Sequence, residues 1–207
     1  MIDQDADSSV HVRNPDHPAP MIHTIIQMGW LNWKTRELSE TFIEEFKKRT
    51  RQLGVNVTVD RETDPEPQDG RLAIVFEREG RPFFTYRGIP SGYELASLCE
   101  GLRRLISLGD NRLQAGPAER PCHATLLSSA TSPLTLNAGA TLFSCAYLFP
   151  RMQGRMIGLD EYPFEIEKHE LRETPTLFIN GQRTLFSSQG ASSITSLLME
   201  TFRPSET

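Results

Sequence analysis

Paired thiols are the first thing this chain lacks. Its 207 residues include three cysteines, Cys99, Cys122 and Cys145, and no two are close in sequence. An odd, scattered set is not a disulfide framework. With no C-x-x-C and no Cys/His cluster, it is not a zinc site either. No apolar run approaches the roughly 20 residues that crossing a bilayer requires. The N-terminus shows no basic, apolar and small-residue succession of a secretory signal. Positive charge is also short, with a net charge of −5, whereas nucleic-acid binders carry a basic stripe. The expectation is a cytoplasmic protein with no membrane or nucleic-acid partner, no metal and no cofactor.

What is present is an ordinary globular balance, 38% hydrophobic and 24% charged, enough for one large domain or two small ones. Residues 1–20 are rich in Asp, Ser, Pro and His and read as a disordered tail. Two units of similar pattern follow, 21–110 and 122–204, joined by a polar linker at 111–121.

In the first unit, Thr24–Met28 reads as a strand and Gly29–Trp33 as a loop. Arg36–Leu53 has Leu38, Phe42, Phe46 and Leu53 at helical spacing, and Gly54 closes it. Val55–Val59 alternates as a strand, and Leu72–Phe76 is a continuous apolar one. Glu79-Gly80 reads as a hairpin turn into Pro82–Tyr86, placed near a sheet edge by Pro82. Tyr93–Leu108 is a helix with Leu95, Leu98, Cys99, Leu102 and Ile106 on its stripe.

The second unit repeats this order. His123–Leu127 is a strand, Pro133–Phe149 a helix and Met156–Leu159 a strand. Phe164–Leu171 is a short helix or turn. Thr176–Ile179, the turn Asn180-Gly181 and Arg183–Phe186 form a hairpin. A last helix starts at Ser192 or Ser193. Phe84–Gly88 aligns with Phe186–Gly190, so the chain reads as an internal repeat of about ninety residues.

A strand, the turn Ser129-Ala130-Thr131-Ser132-Pro133 and a helix resemble the C-x-x-C-P stretch of thioredoxin-fold oxidoreductases, with serine at both cysteine positions. Thr174-Pro175-Thr176-Leu177-Phe178-Ile179-Asn180-Gly181 resembles that family's V-P, apolar strand, N-G segment, and Asp160 follows the second strand as an Asp often does there. Two such units in tandem are similar to the N-terminal domain of the alkyl hydroperoxide reductase flavoprotein subunit and to the archaeal protein disulfide oxidoreductases. The resemblance covers about residues 23–203. It implies an α/β fold of two tandem thioredoxin/glutaredoxin-like units with mixed sheets. It also implies a cis Thr174–Pro175 bond beside the turn, where the residue before the proline pairs with an extended substrate chain. In the first unit the matching loop is Trp30-Leu31-Asn32-Trp33, without cysteine.

Dithiol exchange requires a thiolate and a second thiol to resolve the mixed disulfide. Serine supplies neither. No Ser-His-Asp arrangement or G-x-S-x-G elbow offers Ser129 a base, so the plain reading is that Ser129 caps the following helix. Cys99 and Cys145 read as packing residues, and Cys122, just before a strand, as the one candidate reactive thiol. Trp30 and Trp33 are either core or an aromatic surface for a partner. Glu161, Glu165, Glu167, Glu170 and Glu173, interleaved with Lys168, His169 and Arg172, read as a solvated face.

Two functions follow. The first is a redox-inactive binding or adaptor protein with a protein or peptide partner. Its binding residues would be Ser129, Ala130, Thr131, Ser132, Pro133, Thr174 and Pro175, with Trp30 and Trp33 as the first-repeat counterpart. The alternative is a thiol-disulfide oxidoreductase, using Cys122 alone or being an engineered Cys-to-Ser form of an active enzyme. The sequence sets no oligomeric state.

Overall fold

The computed structural model describes residues 22–27, 33–53, 58–62, 72–108 and 121–184. The strands are β1 (His23–Gln27), β2 (Thr58–Glu62), β3 (Ala73–Arg78), β4 (Arg81–Arg87), β5 (Cys122–Ser128), β6 (Met152–Gly158), β7 (Thr176–Ile179) and β8 (Gln182–Thr184). The helices are α1 (Trp33–Gln52), α2 (Gly92–Leu108), α3 (Leu134–Leu148) and α4 (Phe164–Lys168).

All eight strands form one mixed sheet, in the order β2-β1-β3-β4-β6-β5-β7-β8. Each half has the same wiring. A central strand, β1 or β5, pairs in parallel with the next strand and antiparallel with the third, which turns back into the fourth. The halves join where β4 runs parallel to β6, Phe84–Arg87 opposite Gly154–Ile157. Both hairpins turn through two residues of positive φ, Glu79-Gly80 and Asn180-Gly181. That is the backbone a tight, right-twisted hairpin favours.

The join corrects one expectation. β4 is an interior strand, not an edge. Pro82 is tolerated because its missing N–H lies before Phe84, where pairing to β6 begins, and beside a register shift at Phe76/Glu77.

Other boundaries move. β2 is described over Thr58–Glu62, and residues 55–57 of the expected strand lie outside the described residues. β6 starts at Met152, four residues earlier than Met156, because Met152, Gly154 and Met156 face inward while Gln153 and Arg155 point out. That alternation carries little apolar signal. The final helix, the linker, Trp30 and the Phe186–Gly190 match lie outside the described residues.

The core is shared between the halves. The Phe143 ring of α3 packs 5.0 Å from Phe76, 4.9 Å from Phe84 and 5.4 Å from Phe83, three rings of the first half. Gly154 faces Phe84 in the β4·β6 register, and a Cβ there would stand 2.7 Å from the Phe84 ring. Helix α2 packs on α3 through Ser97 and Gly101, which turns Leu105 inward and leaves Cys99 and Ile106 only partly buried. The expected stripe is thus rotated, because small residues mark the close approach of two helices and a hydrophobicity count passes over them.

Candidate functional site

β4, β5 and β6 are parallel, so their C-terminal ends meet at one end of the sheet. The 129–133 turn leaves β5 there. The 159–175 segment leaves β6 there and returns to β7. Helix α2 starts there too.

The turn is closed by its own backbone. The Ser132 N–H donates to the Ser129 carbonyl at 3.2 Å, and the Thr135 hydroxyl donates to the same oxygen at 3.1 Å. The Ser129 and Thr131 hydroxyls lie 3.0 Å apart. Ser129 does not cap α3. The N-cap position is Pro133, with no side-chain cap bond. Ser132 reaches across instead, its hydroxyl donating to the Thr174 carbonyl at 3.0 Å. The Thr174–Pro175 bond is cis. Pro175 is buried, Thr174 half-buried, and Thr131, Pro133 and Leu134 are exposed. Among the described residues no acceptor meets the Thr174 N–H.

Two contacts tie α2 to this turn. The Tyr93 N–H donates to the Ala130 carbonyl at 2.9 Å. Gly92, at φ +47°, lies against that same carbonyl where a Cβ has no room. Both the backbone conformation and the close approach require glycine.

Beneath the turn lies a buried polar chain that the sequence reading missed. The Tyr86 hydroxyl donates to Glu94 Oε2 at 2.7 Å. Ser128 Oγ stands 2.6 Å from Glu94 Oε1 and 3.2 Å from the Ile157 carbonyl. A hydroxyl has one proton. Both Ser128 contacts are satisfied when Glu94 holds a proton on Oε1 and donates it to Ser128, which then donates to Ile157. Burial raises the Glu94 pKa, its two hydroxyl partners pull it back, and nearby Asp160 raises it. Burial likewise holds the Tyr86 phenol far above its usual range. The signal was available: Glu94 lies on the face of Leu98, Leu102 and Leu105, at helical spacing.

The acidic cluster is not uniformly solvated. Glu165 is buried, 3.0 Å from both Lys168 and His169, and Glu161 accepts the Ile89 N–H at 2.6 Å. Cys122, the candidate reactive thiol, is buried in β5, where burial pushes its thiol pKa up. Burial pushes Cys99 up to about 11, and Cys145 is also buried. Trp33 opens α1 instead of closing the loop before it.

Neither His169 nor His123 serves Ser129 as a base. His169 is bonded to Glu165 and packs on Phe178. His123 is at the far end of β5, roughly 20 Å away at about 3.3 Å per residue. Among the described residues no group of three His, Cys, Asp or Glu could hold a metal, and no helix is long and apolar enough to cross a membrane.

Comparison with solved structures settles the fold. The N-terminal domain of alkylhydroperoxide reductase AhpF from Enterococcus faecalis superposes with a TM-score of 0.69 at 18% identity, covering 87% of this chain and 91% of that one. A protein disulfide oxidoreductase from Aeropyrum pernix gives 0.68 at 17%, covering 87% and 85%. The fold is a tandem thioredoxin fold. Sso1120 from Sulfolobus solfataricus gives 0.57 at 16%, covering 81% and 91%. No protein-family model matches the chain, and no curated protein matches it. In this fold the 129–133 turn lies between β5 and α3, and the cis Thr174–Pro175 bond precedes β7.

Proposed function

We propose that this is a redox-inactive thioredoxin-fold binding protein of the cytoplasm that recognises an extended segment of a partner protein at the 129–133 turn and Thr174. The carrying observation is the Ser132–Thr174 contact. The turn keeps its station against the strand-β7 entry through a hydroxyl-to-carbonyl bond, where a dithiol scaffold would present sulfur. The Thr174 N–H, which meets no acceptor among the described residues, is a backbone donor for an incoming strand, and pairing of that kind needs no thiol. The cysteines argue against the oxidoreductase alternative. Cys122 and Cys145 are buried, and Cys99 has its pKa raised to about 11, whereas reactive thiols sit exposed with lowered values.

The test is an amide-resolved NMR titration with a mixed pool of unstructured peptides under reducing conditions. Shifts confined to Ser129–Ser132 and Thr174 are expected. Absence of any shift at these residues overturns the reading.

A further inference from the structure

Among the described residues, the large apolar side chains left exposed are Tyr93, Leu134, Phe164 and Ile166, at 40%, 44%, 48% and 40%. They come from three separate elements, the starts of α2 and α3 and the body of α4. All three open from the C-terminal ends of β4, β5 and β6, so the four residues surround one end of the sheet. Tyr93 is fixed to the turn itself through its N–H to Ala130. Scattered apolar exposure is ordinary, but apolar exposure gathered at one site marks an interaction surface.

The exposed charge of the 160–175 segment is mostly acidic. Asp160, Glu167, Glu170 and Glu173 are exposed, and Glu173 immediately precedes Thr174. Lys168 and His169 are already engaged with the buried Glu165. Arg172 is the other exposed cation of the 160–175 segment. This end of the sheet therefore carries exposed apolar side chains beside predominantly acidic charge.

We infer that the partner segment is an extended chain with apolar side chains at its centre and lysine or arginine on its flanks. This rests on the peptide-binding reading above. The apolar centre covers Tyr93 and Leu134 while its backbone meets Thr174. The basic flanks meet Glu170 and Glu173. Electrostatic complementarity of this kind sets which partner is chosen and how fast it arrives more than it sets raw affinity.

Two fluorescein-labelled nonapeptides test it by anisotropy with the full chain. They share a Val-Leu-Val centre and carry lysine flanks or glutamate flanks. The lysine peptide binds about ten-fold or more tightly at low salt, and the gap narrows as salt screens exposed charges. Glu170→Lys with Glu173→Lys, both at exposed positions, reverses the preference. Leu134→Ser weakens the lysine peptide without altering its salt dependence. Equal binding of both peptides, or a preference that survives the double charge reversal, overturns the inference and leaves peptide binding standing. Binding of neither peptide overturns both.

Discussion

Ser132 donates its hydroxyl proton to the Thr174 carbonyl across 3.0 Å, joining the turn after β5 to the residue before β7. The contact fixes the turn against the segment that would receive a partner, without a covalent bond. It holds one of the two lone pairs of the Thr174 carbonyl, and among the described residues the Thr174 N–H meets no acceptor.

Ser132→Ala removes that donor from a half-buried site. The expected loss of stability is about 0.5–1.5 kcal/mol, read as a lower urea midpoint with an unchanged slope. An unchanged midpoint would mean the contact contributes nothing to holding the turn.

Glu94 makes stability depend on pH. Its folded pKa is raised above the ordinary 4.5, so the folded chain binds that proton more tightly than the unfolded chain. The contribution is fully present below about pH 4.5 and is lost as pH rises through the folded value. Glu94→Gln copies the neutral acid, accepting from Tyr86 and donating to Ser128, and should remove this dependence while keeping the fold. Glu94→Leu leaves the buried Tyr86 hydroxyl without its acceptor, while Ser128 keeps the Ile157 carbonyl, and should cost about 1–3 kcal/mol for the stranded phenol. Urea titrations across pH 4 to 8 distinguish the three chains. The same slope in wild type and Glu94→Gln would contradict the assignment.

Wild type should reduce insulin no faster than background, since neither turn position carries sulfur. Ser129→Cys with Ser132→Cys should form a disulfide. The Ser132 N–H to Ser129 carbonyl bond defines a four-residue turn, whose ends lie within about 7 Å, inside the span a disulfide bridges. Mass spectrometry of the oxidised double variant checks it. Failure to oxidise would show a turn too open for that chemistry.

Much of this architecture is legible in the sequence because its signals are local. Pro133 beside a helix start, Asn180-Gly181 between apolar runs, and Thr174-Pro175 before a strand each act through their own backbone. The single sheet is not legible, since the β4·β6 pairing joins residues some seventy apart and depends on Gly154 making room for Phe84. Cys122 was misplaced because β5 begins one residue earlier than the strand read from His123, inside the ladder with Met152. Ser129 looked like a cap from position alone, but its carbonyl does the work there, accepting from Ser132 and Thr135. Glu94 was hidden by its type, as a carboxylate on an apolar face is passed over when stripes are built from leucines.

Site-specific photocrosslinking tests the central claim most directly. A photoreactive residue replaces Thr131, exposed in the turn, or Gln153, exposed on the sheet face away from α3, and a biotinylated mixed-sequence peptide pool is added. The account predicts labelling from position 131, none from position 153, and no release by dithiothreitol. Equal labelling from both positions, or loss of the peptide on reduction, would contradict it.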